Sequence, residues 1–370
     1  MKPRDVSPSL ADGAAEAAAR TASAHPAAAG RARDAAGANA RPAAADVAAG
    51  AALIALDWGT TSLRAYLFGA SGDVLAAHTS PAGIMNLPSA PEHGGFDAAF
   101  DDACGAWLAA SPSLPVIAAG MVGSAQGWVP APYVETPASA AALAAAVVHV
   151  RTARGLTIAV VPGVLEPGAL PNVMRGEETQ IVGALPGDAG SSPSSPPSAL
   201  IGLPGTHAKW VEVEDGRIER FHTFMTGEVY AALSEHTILG RTMKRPAAPD
   251  LVAFARGVTV AREHGAAGLL ATAFSSRALA LTGQLAAEAQ PDYLSGLLIG
   301  HELAGLEAVL ARRGVTLRAS EPRLIGADAL CERYRVALAQ FGCTNAQLVR
   351  HATERGLWRI ATQAGLVTPA

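Results

Sequence analysis

The 370-residue sequence predicts an α/β protein of two lobes that share one cleft. An apolar strand at residues 53–56 runs into the polar turn at 57–62 and is followed by an alternating strand at 63–68. About 150 residues later, "ALIGLPGTHAKWVEVEDGRI" repeats this plan with its own Gly-Thr turn. The length is enough for two cores. Two lobes that each offer a turn to a shared cleft would produce this repetition.

Composition divides the chain into four segments. Residues 1–49 are rich in Ala and nearly devoid of large apolar side chains, so we expect a disordered tail. Residues 50–185 form the predicted N-terminal lobe, and 186–198 form a Pro/Ser-rich linker. Residues 199–370 form the C-terminal lobe, and we expect its last helix to pack back on the N-terminal lobe.

The hydrophobic pattern predicts the remaining elements in chain order. In the N-terminal lobe we predict a strand at 74–77, a helix at 96–110, a strand at 115–119, a helix at 138–150, a strand at 156–161 and a helix at 177–185. In the C-terminal lobe we predict helices at 227–237, 250–265, 267–282, 291–313, 326–341 and 348–364, with short strands at 316–319 and 323–325. The second half is therefore mostly helical.

Charge and cysteine content exclude several classes of protein. A net charge of −4 gives no reason to expect nucleic acid or an anionic membrane as a partner. Three widely spaced cysteines show no metal-ligand spacing, which is typical of reduced thiols in the cytoplasm. No uninterrupted apolar run reaches 18 residues, so we expect no transmembrane helix. Neither a Walker P-loop nor a G-x-G-x-x-G fingerprint occurs. The sequence is compatible with a homodimer.

The two Gly-Thr turns are candidate phosphate sites. Such a turn between antiparallel strands points backbone N–H groups and hydroxyls outward, which suits phosphate oxygens. Asp57, at the end of the first strand, suits Mg²⁺ directly or through water. One such turn alone is also typical of an ordinary hairpin, but two turns that open two lobes favour a nucleotide. Lys209, just after the second turn, is either a solvated lysine or a cation for ATP.

A pair of carboxylates opens the helix at 177–185. Glu177 and Glu178 can simply favour the helix dipole. Alternatively, one of these two glutamates is a general base in the cleft, and Arg175 binds an anion. The loop "AAGMVGSAQGW" is either a surface loop or a segment in which Gly120 and Gly123 let the backbone approach a ligand.

Six motifs in order resemble one enzyme family: "LDWGTTSLRAYL", "GMVGS", "NVMRGEETQ", "PGTHAKWV", "FMTGE" and "LSGLLIG". From about residue 53 to the C-terminus, the chain resembles 2-dehydro-3-deoxygalactonokinase. The resemblance implies the actin-like ATPase (ribonuclease H-like) fold with a nucleotide cleft between the lobes. It also implies transfer of phosphate from ATP, with Mg²⁺, to the 6-hydroxyl of 2-dehydro-3-deoxy-D-galactonate in galactonate catabolism. The epimeric 2-dehydro-3-deoxygluconate, a non-catalytic sugar sensor and a phosphohydrolase are the alternatives.

The resemblance and the residues themselves together suggest roles for individual residues. Glu178 is our first choice for the base, Glu177 the second, and Asp57 organises the metal. The expected substrate contacts are Arg175, Gly120, Met121, Gly123, Ser124 and Arg277. The expected nucleotide contacts are Gly59, Thr60, Thr61, Ser62 and Arg64 in the first turn, Gly205, Thr206, His207 and Lys209 in the second, and Gly326 and Ala327 in an adenosine turn.

Overall fold

The computed structural model describes residues 50–185 and 198–368. The expected tail at 1–49 and the expected linker up to residue 197 lie outside the described residues. The strands are β1 Ala51–Trp58, β2 Leu63–Gly69, β3 Val74–Ser80, β4 Val116–Ala119, β5 Tyr133–Glu135, β6 Val148–Arg151, β7 Thr157–Val160, β8 Gly163–Glu166, β9 Asn172–Met174, β10 Ser198–Leu203, β11 Ala208–Glu214, β12 Arg217–Phe224, β13 Arg323–Leu324 and β14 Gln347–Leu348. The helices are α1 Gly95–Ala110, α2 Ala140–Ala145, α3 Glu177–Ala184, α4 Thr226–His236, α5 Leu251–His264, α6 Leu269–Thr272, α7 Ser275–Leu281, α8 Gln290–Ala311, α9 Asp328–Gln340 and α10 Ala352–Gln363.

Two mixed sheets share one strand order over five strands, and the N-terminal sheet adds β6, antiparallel to β7, at its edge. The N-terminal sheet runs β3-β2-β1-β4-β7-β6, and the C-terminal sheet runs β12-β11-β10-β13-β14. In each, three antiparallel strands made by consecutive hairpins are followed by parallel strands beside the first strand of the half. The plan that the sequence repeats is therefore repeated in the fold, as expected for two α/β lobes built on mixed sheets.

A small third sheet, in the order β5-β8-β9, touches the edge of the C-terminal sheet. Ala138 and Ile218 form an isolated bridge, and the Glu166 carboxylate accepts a 2.6 Å hydrogen bond from the Phe221 backbone N–H. These contacts tie β12 to the segment that leads into α3.

The last helix, α10, crosses α3 of the N-terminal half at very short range. A Cβ on Gly183 would lie 1.8 Å from the Ala352 carbonyl oxygen, and one on Gly356 would lie 1.8 Å from the Thr179 carbonyl oxygen. Only glycines allow this approach. Arg355 also donates to the Gly183 carbonyl at 2.8 Å. The end of the chain thus fixes the helix that carries Glu177 and Glu178.

Helix α8 is the core helix of the C-terminal half. It is long and apolar enough to cross a membrane, but more than half of that apolar window is buried inside the protein. It packs on α5 through Gly257, Gly296 and Gly300, where added Cβ atoms would meet the facing helix at 1.9–2.6 Å. Close helix packing explains its composition without a membrane.

Several predicted elements differ from the structure. The helix predicted at 138–150 ends at Ala145, and β6 follows because the β-branched alternation Val148/Val150 pairs with β7. The helix predicted at 348–364 begins only at Ala352, since residues 347–348 form β14. The strand predicted at 316–319 is wrong, because residues 317–319 form a 3-10 turn. Finally, the helix predicted at 267–282 is broken into α6 and α7.

Candidate active site

The first Gly-Thr turn presents its N–H groups outward. Gly59 donates to the Ser62 carbonyl at 2.9 Å and closes the turn between β1 and β2. The carbonyls of Gly59, Thr60 and Thr61 accept hydrogen bonds from a neighbouring loop, through Ile84 N (3.1 Å), Met85 N (3.0 Å) and Asn86 Nδ2 (3.3 Å). The N–H groups of Thr60 and Thr61 donate to no acceptor among the described residues, and both residues are exposed. Exposed, unpaired N–H groups of this kind suit an anion.

Asp57 lies at the end of β1, directly opposite Arg64 on β2. Its side chain is 24% exposed, and its Oδ2 lies 3.4 Å from Arg64 Nη1. Burial raises the pKa of Asp57, Arg64 lowers it, and the carboxylate of Glu354 on α10 raises it again. The described residues contain no cluster of three or more metal ligands. A single accessible carboxylate beside a phosphate turn fits Mg²⁺, which usually keeps several waters and uses few protein ligands.

The second Gly-Thr turn lies against the start of α4. The Glu228 N–H donates to the Thr206 carbonyl at 3.0 Å, and a Cβ on Gly227 would lie 2.6 Å from the Gly205 carbonyl oxygen. The His207 ring pairs with the Glu228 carboxylate. As in the first turn, the N–H groups of Gly205 and Thr206 have no acceptor in the described part of the chain. Both halves therefore contribute one donor-rich turn.

Lys209 connects the two halves of the molecule. Its side chain is only 5% exposed, so the alternative of a solvated lysine is wrong. The ammonium lies 3.3 Å from Glu177 Oε1 on α3 and donates to the His207 carbonyl at 3.3 Å. An ammonium has three N–H donors, and these two acceptors leave one for a ligand. The second turn and the carboxylate helix are thus joined by one ion pair.

The two neighbouring glutamates occupy different environments. Glu178 is fully buried, where its carboxylate accepts hydrogen bonds from Gly176 N (2.6 Å) and Thr179 Oγ1 (3.0 Å). Burial, followed by the charge of Glu177, raises the pKa of Glu178 to about 7, against the opposing effect of these hydrogen bonds. The Glu177 side chain is 26% exposed, and its Oε2 accepts from the Arg175 backbone N–H at 3.1 Å.

Three backbone segments meet at Gly120. A Cβ there would lie 2.8 Å from the Trp58 carbonyl oxygen, and one on Gly176 would lie 3.3 Å from the Gly120 Cα. Both glycines have positive φ, +95° and +107°. The end of β1, the "GMVGS" loop and the start of α3 are therefore in direct contact.

Arg175 and Ser124 each have buried polar atoms without hydrogen-bond partners among the described residues. The Arg175 guanidinium stacks over the Tyr133 ring at 4.5 Å, and its Nη2 donates to the Ala131 carbonyl at 2.8 Å. Its Nε and Nη1, like Ser124 Oγ, are buried and have no hydrogen-bond partner among the described residues. A Cβ on Gly123 would lie 3.0 Å from Arg175 Nη1, so a larger residue would displace the guanidinium. Unsatisfied donors of this kind suit a carboxylate.

The other predicted site residues are placed differently. Gly326 lies beside the second turn, where its Cβ would be 3.3 Å from the Pro204 carbonyl oxygen, and Ala327 caps α9. Met121 belongs to the 3-10 turn that includes Gly123. Arg277 donates to the Ile238 carbonyl at 3.1 Å, and this hydrogen bond connects it with neither turn.

Sequence reasoning missed Tyr133 and Glu354, since neither lies in a recognisable motif. Tyr133 lies on β5, a short strand that the hydrophobic pattern does not reveal. Glu354 lies on α10, more than 290 residues after Asp57 in the sequence. Their proximity to the site depends on the tertiary fold.

Two donor-rich turns on repeated α/β halves, with an acidic helix start against them, define a two-lobed phosphotransferase of the actin-like ATPase class. The chain belongs to the 2-keto-3-deoxy-galactonokinase family, whose family model matches residues 57–360.

Named relatives and a solved structure agree with this assignment. A protein of Rhizobium meliloti (strain 1021), named as a probable 2-dehydro-3-deoxygalactonokinase, is 38% identical over 294 residues, which cover 78% of this chain and 89% of that protein. The 2-dehydro-3-deoxygalactonokinase of Escherichia coli (strain K12) is 34% identical over 78% of this chain and 90% of its own length. A crystal structure of a protein from Sinorhizobium meliloti assigned as a 2-dehydro-3-deoxygalactonokinase superimposes with a TM-score of 0.70 at 37% identity, covering 84% of this chain and 98% of that one. The predicted family and fold class are confirmed.

Proposed function

We propose that this chain transfers the γ-phosphoryl group of ATP to the 6-hydroxyl of 2-dehydro-3-deoxy-D-galactonate, giving the 6-phosphate and ADP. The observation that carries the proposal is the ion pair between Lys209 and Glu177. It joins one donor-rich turn to the start of the carboxylate helix, so phosphates and a general base would meet at one point. The family's named members support the choice of acceptor.

The phosphates of ATP would lie between the turns at 59–61 and 205–207. The outward N–H groups of both turns would bind phosphate oxygens, and the third N–H of Lys209 would face the γ-phosphate. When bound, Mg²⁺ would neutralise phosphate charge, with Asp57 as the residue that holds it or its waters. The adenosine would lie toward Gly326, beside the second turn.

Glu177 is the better candidate for the base, which reverses the order taken from the sequence. A general base must come within hydrogen-bond reach of the hydroxyl proton. Both carboxylates have polar partners within the protein, but Glu178 has no exposed surface, whereas the Glu177 side chain is 26% exposed. Glu177 would accept the 6-hydroxyl proton as the hydroxyl oxygen attacks the γ-phosphorus in line, and ADP would leave. Glu178 would then support the start of α3.

The substrate carboxylate would bind Arg175 and Ser124. Their buried, unpartnered polar atoms lie in the loop region that touches the start of α3, and a carboxylate would satisfy them. Closure of the lobes would exclude water and suppress hydrolysis of ATP. We also propose a cytoplasmic location, since the three cysteines are unpaired and buried, as expected in a reducing compartment.

A coupled assay of ADP formation tests the proposal. With Mg²⁺ and ATP, we expect rapid ADP release with 2-dehydro-3-deoxygalactonate and little without a sugar acid. The corresponding 3-deoxy-2-ketohexose, in which a CH2OH group replaces the carboxylate, should be a poor acceptor. Faster turnover with 2-dehydro-3-deoxygluconate would correct the acceptor, and equal ADP release without any sugar acid would contradict the kinase.

A further inference from the structure

A buried carboxylate on α8 accepts three side-chain hydrogen bonds. Glu302 is almost completely buried in the C-terminal half. Its Oε1 accepts from Trp210 Nε1 at 2.7 Å, and its Oε2 accepts from the Tyr334 hydroxyl at 2.8 Å and from the Thr226 hydroxyl. Both oxygens therefore accept hydrogen bonds from the protein, and Glu302 has no direct role in the transfer described above.

Each donor belongs to an element that carries part of the nucleotide site. Trp210 is the neighbour of Lys209 on β11, which leaves the second Gly-Thr turn. Thr226 begins α4, whose next two residues pack against Gly205 and Thr206 of that turn. Tyr334 lies on α9, which begins directly after Gly326 and Ala327. One carboxylate thus connects the phosphate turn with the expected adenosine turn.

A carboxylate is a costly group for this position. Burial raises the pKa of Glu302 to about 7 against the effect of its three hydrogen bonds. An apolar side chain of similar volume would avoid this desolvation, and buried ionic groups are often replaceable without loss of stability. A leucine, however, would leave the Trp210, Tyr334 and Thr226 donors unsatisfied and free to turn away.

We propose that Glu302 is a positioning residue for the nucleotide, which sets the affinity for ATP and ADP by fixing β11, α4 and α9 relative to one another. The inference rests on the proposed function, because it assumes that the turns at 205–207 and 326–327 hold the nucleotide. In this proposal Glu302 contacts neither ATP nor the sugar acid and acts only through the elements that it connects.

The test is Mg·ADP binding by calorimetry, together with both KM values from the coupled assay. Glu302→Gln keeps the shape but replaces one acceptor oxygen by an amide, and it should raise the Kd of ADP about tenfold. The KM of ATP should rise in parallel, whereas the KM of the sugar acid should stay within about twofold. Tyr334→Phe removes one donor and should weaken ADP binding about threefold. Glu307→Gln, on the same helix, is the matched control and should bind ADP like the wild type.

The outcomes separate the two proposals. If the wild type binds ADP and both Glu302→Gln and Tyr334→Phe bind it equally well, the positioning role is overturned. An equal rise in both KM values would show a general structural effect and would also overturn it. If Glu302→Gln does not fold, Tyr334→Phe decides by the same split between the two KM values. A wild type that binds no ADP would instead overturn the proposed function, and with it this inference.

Discussion

The buried carboxylate of Glu178 makes the stability of the protein depend on pH, and Glu178→Gln removes this dependence. Burial raises the pKa of Glu178 from 4.5 to about 7, so the folded chain holds this proton more tightly than the unfolded chain does. The stabilising contribution is complete below the unfolded pKa and is lost as the pH rises through the folded pKa. At about 1.4 kcal/mol per pKa unit, Glu178 should lower the free energy of unfolding by roughly 2 to 3 kcal/mol between pH 5 and pH 8.

The assay is urea denaturation, followed by tryptophan fluorescence, at pH 5, 6.5 and 8. Between pH 5 and pH 8, the free energy of unfolding should fall by roughly 2 to 3 kcal/mol less in Glu178→Gln than in the wild type. All other titrating groups are common to both proteins, so the difference reports Glu178 together with its coupling to Glu177. The exposed Glu321→Gln is the control and should follow the wild type. If Glu178→Gln and the wild type lose stability equally, the inferred burial and titration of Glu178 are refuted.

Three further predictions concern the two turns and the acceptor site. Gly83→Ala would place a Cβ 2.4 Å from the Thr60 carbonyl oxygen, so the KM of ATP should rise, whereas Gly50→Ala, with open space around it, should not change it. Arg175→Lys should raise the KM of the sugar acid at least about tenfold and leave the KM of ATP unchanged, since lysine lacks the guanidinium fork. An unchanged KM of the sugar acid would exclude Arg175 as the binding site of the substrate carboxylate. Lys209→Met should lower kcat about 100-fold, because the positive charge beside the γ-phosphate is lost, and Lys209→Arg should give a kcat between those of Lys209→Met and the wild type. A wild-type kcat in Lys209→Met would show that Lys209 has no role in the transfer.

The sequence predicted the architecture because the two strand–turn–strand units are local patterns. The apolar run into Asp57 and its counterpart before Gly205 are each specified by a few consecutive residues, and the structure forms both hairpins. Short strands such as β9 were missed because three residues carry too little alternation to detect. The break between α6 and α7 likewise leaves no clear signal in an Ala/Leu-rich segment.

The candidate site was predictable by residue but not by role. The pair Glu177 and Glu178 is visible in the sequence, and helical spacing places Glu178 on the face of Ile181, Val182 and Leu185, but this spacing does not show that another element covers the face. The difference in burial between the two glutamates comes from the packing of α10 on α3 and from Lys209, both distant in the chain. Glu302 was invisible for the same reason, because its three partners come from three separate elements.

The most direct test of the account is the comparison of kcat for Glu177→Gln and Glu178→Gln in the coupled assay. Because the cleft-exposed carboxylate is the proposed base, Glu177→Gln should lower kcat by about 10²-fold or more with 2-dehydro-3-deoxygalactonate as acceptor. Glu178→Gln should retain most of the wild-type kcat. The reverse result, with loss of turnover in Glu178→Gln and near-normal turnover in Glu177→Gln, would contradict the account.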